Sequence, residues 1–143
     1  MIREIVAALG VGLYAATGTW SAAVWIRWLP SELRWFAVSF SLLMYGSALR
    51  QFWVSRHLTR LRRRLGLSLS QFRIFRLESA VQALAGGSAL VGAVIFLVKS
   101  ATPERRILGV LAALGALGWL LLWAQILRGV WGVDDQPDVT DTP

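Results

Sequence analysis

Four long apolar blocks without a charged side chain limit this sequence to folds that bury the blocks in lipid or protein. The blocks cover residues 5–26, 35–49, 79–98 and 107–127. An α-helix crosses the roughly 30 Å hydrocarbon core of a bilayer with about 20 consecutive apolar residues. The first, third and fourth blocks reach that length alone. The second reaches it only if its flanking residues, Arg34 and Arg50, extend their charged ends toward the two interfaces.

The length and composition predict a single membrane domain followed by a short tail. The chain has 143 residues, 56 % of them hydrophobic, and a mean hydropathy of +0.56. We therefore predict an all-α fold, an integral membrane antiparallel bundle of four helices in residues 1–128. The predicted spans cover about residues 5–27, 33–54, 78–99 and 105–127. Residues 129–143 carry four aspartates and two prolines, which is typical of an acidic disordered tail.

The polar segment 55–77, between the second and third spans, is predicted to form the tip of a helical hairpin. Val54, Leu58 and Leu61 recur at helical spacing, which predicts that the second helix continues beyond the membrane to Leu65. The segment is rich in arginine. Its arginines are Arg56, Arg60, Arg62, Arg63, Arg64, Arg73 and Arg76.

Local signals mark the helix boundaries on both sides of the third span. Gly66 stands where a helix C-cap favours a residue that tolerates positive φ. Ser68 and Gln71 match a capping box, so the next helix is expected to begin after a very short connection. Pro103, with Glu104 in the first turn, predicts the start of the fourth helix.

Counting basic residues predicts how the chain lies in the membrane. The side that holds the hairpin and both termini has ten arginines, and the opposite side has four arginines and one lysine. The positive-inside rule places the side with more basic residues in the cytoplasm. We therefore expect a multi-pass protein of the cell (inner) membrane with cytoplasmic N and C termini.

The seven arginines of the hairpin are the candidate binding residues. They either set the membrane orientation alone, bind anionic lipid headgroups, or dock a partner protein. A basic residue near an anionic bilayer contributes about 1 kcal/mol of attraction. Nucleic-acid binding has little support, because Phe72 and Phe75 fit a helix-packing stripe as well as a base-stacking platform.

Small residues at four-residue spacing are candidate helix-packing positions. They lie in three of the predicted spans: Ala8, Gly12 and Ala16; Ala85, Ala89 and Ala93; Gly109 and Ala113. Such rows let helix backbones approach closely inside lipid, where packing drives association. In the first helix, the row serves either packing within the subunit or a seam between copies.

The composition argues against catalysis. The sequence has no cysteine, which excludes thiolate chemistry and zinc–sulfur sites. Its only histidine, His57, lies in the hairpin. The glutamates all fall at predicted helix ends, whereas coupled transporters usually need an ionisable group at membrane depth. We therefore expect no catalytic residue, no cofactor and no metal.

The expected function is that of a non-catalytic accessory or scaffold subunit in a larger membrane assembly, cellular or in a virion. Its expected partners are anionic membrane lipids and other membrane proteins or further copies of itself. The alternative is a homo-oligomeric pore, holin-like or channel-like. Small size and abundant small residues favour the pore, whereas the lack of a polar stripe along any span counts against it.

Overall fold

Helices account for all regular secondary structure in residues 1–66 and 71–131, the part of the chain that this computed structural model describes. The all-α prediction is therefore confirmed for these residues. The elements are α1 (Ile2–Trp28), α2 (Ser31–Val54), a 3-10 turn (Arg56–Leu58), α3 (Thr59–Arg64), α4 (Gln71–Lys99) and α5 (Pro103–Trp131). The predicted capping residue Ser68 and the tail from residue 132 onward lie outside the described residues.

Three of the described helices are long and apolar enough to cross a membrane. They cover Ile2–Trp28, Arg73–Lys99 and Pro103–Val130. The remaining long helix, α2, has 24 residues but does not meet the same standard of apolarity. Its polar content explains this result, because four serines, one glutamate and two arginines interrupt its apolar residues.

The four long helices form an open row in the order α1, α2, α4, α5. Within the described residues, α1 packs on α2, α2 on α4 and α4 on α5, and no other pair of long helices is in contact. Neighbours run antiparallel, as the position of Gly10 beside Gln51 and of Gly92 beside Trp35 indicates. Because α1 and α5 do not meet, the described helices do not close into a bundle.

Close approach between α4 and α5 depends on Gly86. A Cβ atom at this position would lie 2.9 Å from the backbone nitrogen of Leu120, which is shorter than a van der Waals contact. Gly109 lies against Leu97 in the same interface. The small residues thus bring the two backbones together, as rows of this kind do in membrane helices.

The second helix does not continue to Leu65, and that prediction is wrong. Helix α2 ends at Val54, because Ser55 takes an extended backbone conformation with φ −68° and ψ 111°. A 3-10 turn and the six-residue α3 follow before Gly66, which has a φ of +66° as its C-cap position predicts. The leucine spacing reflects two short helical pieces rather than one extended helix.

Candidate functional site

A cavity with charged walls lies where the end of α2, the 3-10 turn, α3 and the start of α4 meet. Its volume is about 750 Å³. Guanidinium groups, aromatic rings and one carboxylate form most of its wall. The residues that give it this character are Arg50, Arg56, Arg62, Trp53, Phe75 and Glu78. We call it the arginine cavity.

The guanidinium group of Arg62 is occupied by hydrogen bonds within the protein. Its guanidinium donates hydrogen bonds to the carbonyl oxygens of Phe52 (3.2 Å), Trp53 and Ser55 (3.3 Å), and to the hydroxyl of Thr59 (2.9 Å). The C-terminal carbonyls of a helix have no intrahelical partners and carry a partial negative charge. Arg62 therefore caps α2 and fixes α3 against its end.

Arg50 and Glu78 join α2 to α4 at the floor of the arginine cavity. The Nε atom of Arg50 lies 3.9 Å from Oε1 of Glu78. The Glu78 side chain is only 6 % exposed, whereas that of Arg50 is 66 % exposed. A buried carboxylate needs a charged partner, and among the described residues Arg50 lies in that position.

The remaining predicted arginines are spread over the same end of the row. Arg56, Arg60, Arg63, Arg64 and Arg73 are exposed. Arg60 lies 3.8 Å from Glu4 at the start of α1, and Arg76 donates to the carbonyl of Val130 at the end of α5, at 3.2 Å. One end of the molecule therefore holds Arg60 and Arg76 together with the start of α1 and the end of α5.

Sequence reasoning missed Arg50, Glu78 and Trp53 as parts of this site. It assigned Arg50 only to the edge of a span and Glu78 only to a helix end. Trp53 stands three residues after Arg50, which places both on one face of α2. That spacing could have predicted that Arg50 and Trp53 belong to one site. The contribution of Glu78 depends on how α4 packs, which the spacing does not give.

The predicted packing residues divide into inward and outward groups. Ala85 and Ala93 are fully buried and Gly109 is buried, while Ala89 and Ala113 are half-buried. Ala8, Gly12 and Ala16 are exposed. A Cβ atom on Gly12 would meet no other atom within 4 Å. The row on α1 thus faces away from the described chain.

Buried serines connect the helices inside the row. The Ser39 hydroxyl donates to the carbonyl of Ala85 across the α2–α4 interface at 2.7 Å. The Ser41 hydroxyl donates to the carbonyl of Ala37 at 2.9 Å, and its oxygen lies 3.3 Å from the hydroxyl oxygen of Ser21 in α1. These hydroxyls lie in two separate interfaces, so they hold helices together rather than form one continuous polar path.

Another ion pair lies at the opposite end of the row. Lys99 Nζ lies 2.6 Å from the Ser31 hydroxyl and 3.4 Å from Oε2 of Glu32. The pKa of Glu32 is lowered, first by a hydrogen bond from its own backbone N–H and then by Ser31 and Lys99. This contact connects the start of α2 to the end of α4.

No metal centre appears among the residues the structure describes, since none of their histidine, aspartate and glutamate side chains group in threes. Comparisons of the chain with protein-family models, curated proteins and solved structures give no match.

Proposed function

We propose that this chain is a multi-pass membrane protein that serves as a non-catalytic accessory or scaffold subunit. Its four long helices cross the bilayer, and the arginines between α2 and α4 contact anionic lipid headgroups or a partner. The observation that carries the proposal is the position of these arginines. They are gathered at one end of a row of helices whose apolar flanks are uncovered.

The outer flanks of the row support a membrane location. Leu13 on α1 is 70 % exposed and Leu111 on α5 is 60 % exposed, and each belongs to a series of exposed large apolar residues along its helix. Contiguous apolar surface of this extent in water marks a membrane or protein interaction surface. Lipid or neighbouring membrane helices would cover it.

The position of α2 in the row supports a fourth crossing despite its lower apolarity. It lies between α1 and α4, from Gln51 beside Gly10 at one end to Trp35 beside Gly92 at the other. A helix packed along two spanning helices crosses with them. The buried hydroxyls of Ser39 and Ser41 have hydrogen-bond partners, which lowers the cost of placing them in lipid.

The ends of the row support an orientation. Arg60 lies beside Glu4, and Arg76 lies beside Val130. These arginines are therefore at the same end of the row as the start of α1 and the end of α5. Under the positive-inside rule this end faces the cytoplasm. Both termini would then be cytoplasmic in a cell (inner) membrane protein.

Single-cysteine labelling tests the crossing of α2 without a background, because the native chain has no cysteine. Cysteine at Pro30, in the exposed turn before α2, and cysteine at Arg64, beyond the end of α2, should react with an impermeant maleimide from opposite sides of the membrane, with Arg64→Cys reacting from the cytoplasmic side. Leu111→Cys, within α5, is the unreactive control. Reaction of Pro30→Cys and Arg64→Cys from one side would show that α2 does not cross and would exclude the four-span arrangement.

The mass of the complex tests the accessory role. We expect mild extraction from the native membrane to yield a particle that contains other polypeptides in fixed ratio to this chain. A particle that contains this chain alone would contradict the accessory role.

A homo-oligomeric pore, holin-like or channel-like, is the second candidate. The outward row of Ala8, Gly12 and Ala16 favours close approach of another helix to α1. The buried hydroxyls of Ser39 and Ser41 on α2 count against a water-filled lumen, because they are bonded within the chain. A uniform homo-oligomer together with single-channel conductance in planar bilayers would favour the pore over the accessory subunit.

A further inference from the structure

We infer that the arginine cavity binds one anionic phospholipid, with the headgroup phosphate between Arg50 and Arg56 and the start of the acyl chains against Trp53 and Phe75. This inference rests on the proposed membrane function and deepens it. A general attraction of basic residues to a charged surface would not fix the number of lipid molecules bound per chain. A cavity of limited volume would fix that number.

The positive charge available to a ligand comes from two of the three arginines in the wall. The guanidinium of Arg56 has no hydrogen bond or ion pair within the described residues. Arg50 has a single described partner, Glu78, which lies beside Nε and leaves the two terminal nitrogens for a ligand. Arg62 is engaged with helix carbonyls, so it forms wall rather than binding surface.

Glu78 acts in the proposed site as a positioning residue. Its buried carboxylate lies 3.9 Å from the Arg50 Nε and restrains the Arg50 side chain at the cavity wall, which lowers the entropy that Arg50 loses on binding a ligand. Arg50 and Arg56 line one cavity, and a phosphate accepts paired hydrogen bonds from arginine.

The rest of the wall indicates an amphiphile rather than a free anion. Ile74 is buried, Phe75 is 43 % exposed and Val54 is 70 % exposed at the same cavity. Apolar surface beside guanidinium groups suits the glycerol and first acyl carbons of a lipid below its phosphate. The volume of about 750 Å³ lies within the roughly 300–1,000 Å³ of ligand sites. Basic pockets between membrane helices bind anionic lipid headgroups.

The test measures lipid retained by the full chain in a neutral detergent, where no charged bilayer surface remains. Mass spectrometry would count phosphatidylglycerol and phosphatidylcholine bound from mixed micelles of equal amounts. We expect about one phosphatidylglycerol per chain. Arg56→Gln should weaken it roughly tenfold or more, as loss of a charge-assisted hydrogen bond predicts.

Matched variants separate the cavity from general charge. Arg63→Gln removes the same charge from an exposed position of α3 that does not line the cavity, and it should retain the lipid within about twofold of the native chain. Trp53→Leu should weaken binding while keeping all charges. The double variant Arg50→Gln with Glu78→Gln removes both members of the buried pair and should also weaken binding.

Three results would overturn the inference. Equal losses in Arg56→Gln and Arg63→Gln would show diffuse attraction, and displacement of the lipid by millimolar inorganic phosphate would show a phosphate site. Native chain that retains no phosphatidylglycerol in detergent would show no site. Spin-labelled lipids in reconstituted bilayers test the proposed surface contact separately. If those bilayers show no preference for phosphatidylglycerol over phosphatidylcholine, the lipid-contact part of the proposed function fails as well.

Discussion

The guanidinium carbon of Arg62 lies 4.8 Å from the centroid of the Trp53 ring, directly at the end of α2. The guanidinium thus covers one face of the Trp53 ring, and its nitrogens donate hydrogen bonds to carbonyl oxygens at the end of the helix. Both interactions place positive charge at the negative end of the helix dipole. One side chain therefore caps α2 and positions α3, which carries Arg60, Arg63 and Arg64.

Replacing Arg62 by lysine should loosen this segment although the charge is kept. A lysine ammonium cannot reproduce the planar fork that bonds several carbonyls while stacking on a ring. We expect the protein to lose about 1–3 kcal/mol of stability, measured as a lower unfolding temperature in detergent and faster proteolysis near Gly66. Arg63→Lys is the matched control and should change neither. Equal effects of the two substitutions would refute the capping role.

Two adjacent glycines of α4 should respond to alanine with opposite signs. In Gly86→Ala the new methyl group would meet the backbone of Leu120 at 2.9 Å, so α4 and α5 must separate, at a cost of about 1–3 kcal/mol. In Gly87→Ala the methyl group meets nothing within 4 Å, and alanine favours the helix by about 1 kcal/mol. Unfolding temperatures of both variants check the prediction, and equal shifts would contradict it.

Replacing Gln82 by methionine should stabilise the protein. Gln82 is 5 % exposed, and its Oε1 has no hydrogen-bond partner among the described residues. An unsatisfied buried acceptor costs about 1–3 kcal/mol, and a side chain of similar shape removes that cost. A higher unfolding temperature in detergent is the expected result. A lower temperature would mean that the Gln82 carbonyl has a bound partner in the membrane.

Acid should weaken the contact between α2 and α4 at Glu32. The folded pKa of Glu32 is lowered from its ordinary value of 4.5 by hydrogen bonds from its backbone N–H and Ser31 and by Lys99. A group with a lowered pKa contributes stability above its unfolded pKa, and this stability is lost as the pH falls through the folded pKa. The contribution of Glu32 to the unfolding temperature should therefore be lost as the pH is lowered from 4.5.

Glu32→Gln should reduce that acid dependence and slightly lower the unfolding temperature at neutral pH. Glu104→Gln, which replaces a carboxylate in the first turn of α5, is the matched control and should retain the acid dependence. If Glu32→Gln keeps the full dependence, then another carboxylate is responsible for it.

The sequence predicted those parts of the fold that depend on local chemistry. Proline and glutamate at 103 and 104 begin α5, Gly66 takes the positive φ that ends α3, and the apolar blocks mark three helices of membrane-crossing length. Each of these features follows from a few neighbouring residues.

The features that depend on helix register could not be predicted. Arg50 and Glu78 are distant in sequence and meet only because α2 and α4 pack antiparallel at one particular offset. The break at Ser55 was hidden because leucines keep helical spacing on both sides of it. Which face of α1 turns away from α2 is likewise decided by packing, so the small residues of α1 gave no sign that Ala8, Gly12 and Ala16 lie outside.

The open row has a consequence for biosynthesis. Each long helix contacts only the long helices immediately before and after it in the chain. During synthesis the helices enter a membrane one at a time. Each new helix therefore finds the helix on which it packs already in place. No early helix has to wait for a distant late one, so assembly needs few long-range encounters and is expected to be fast. Deleting α5 would then leave the α1–α2 and α2–α4 interfaces intact.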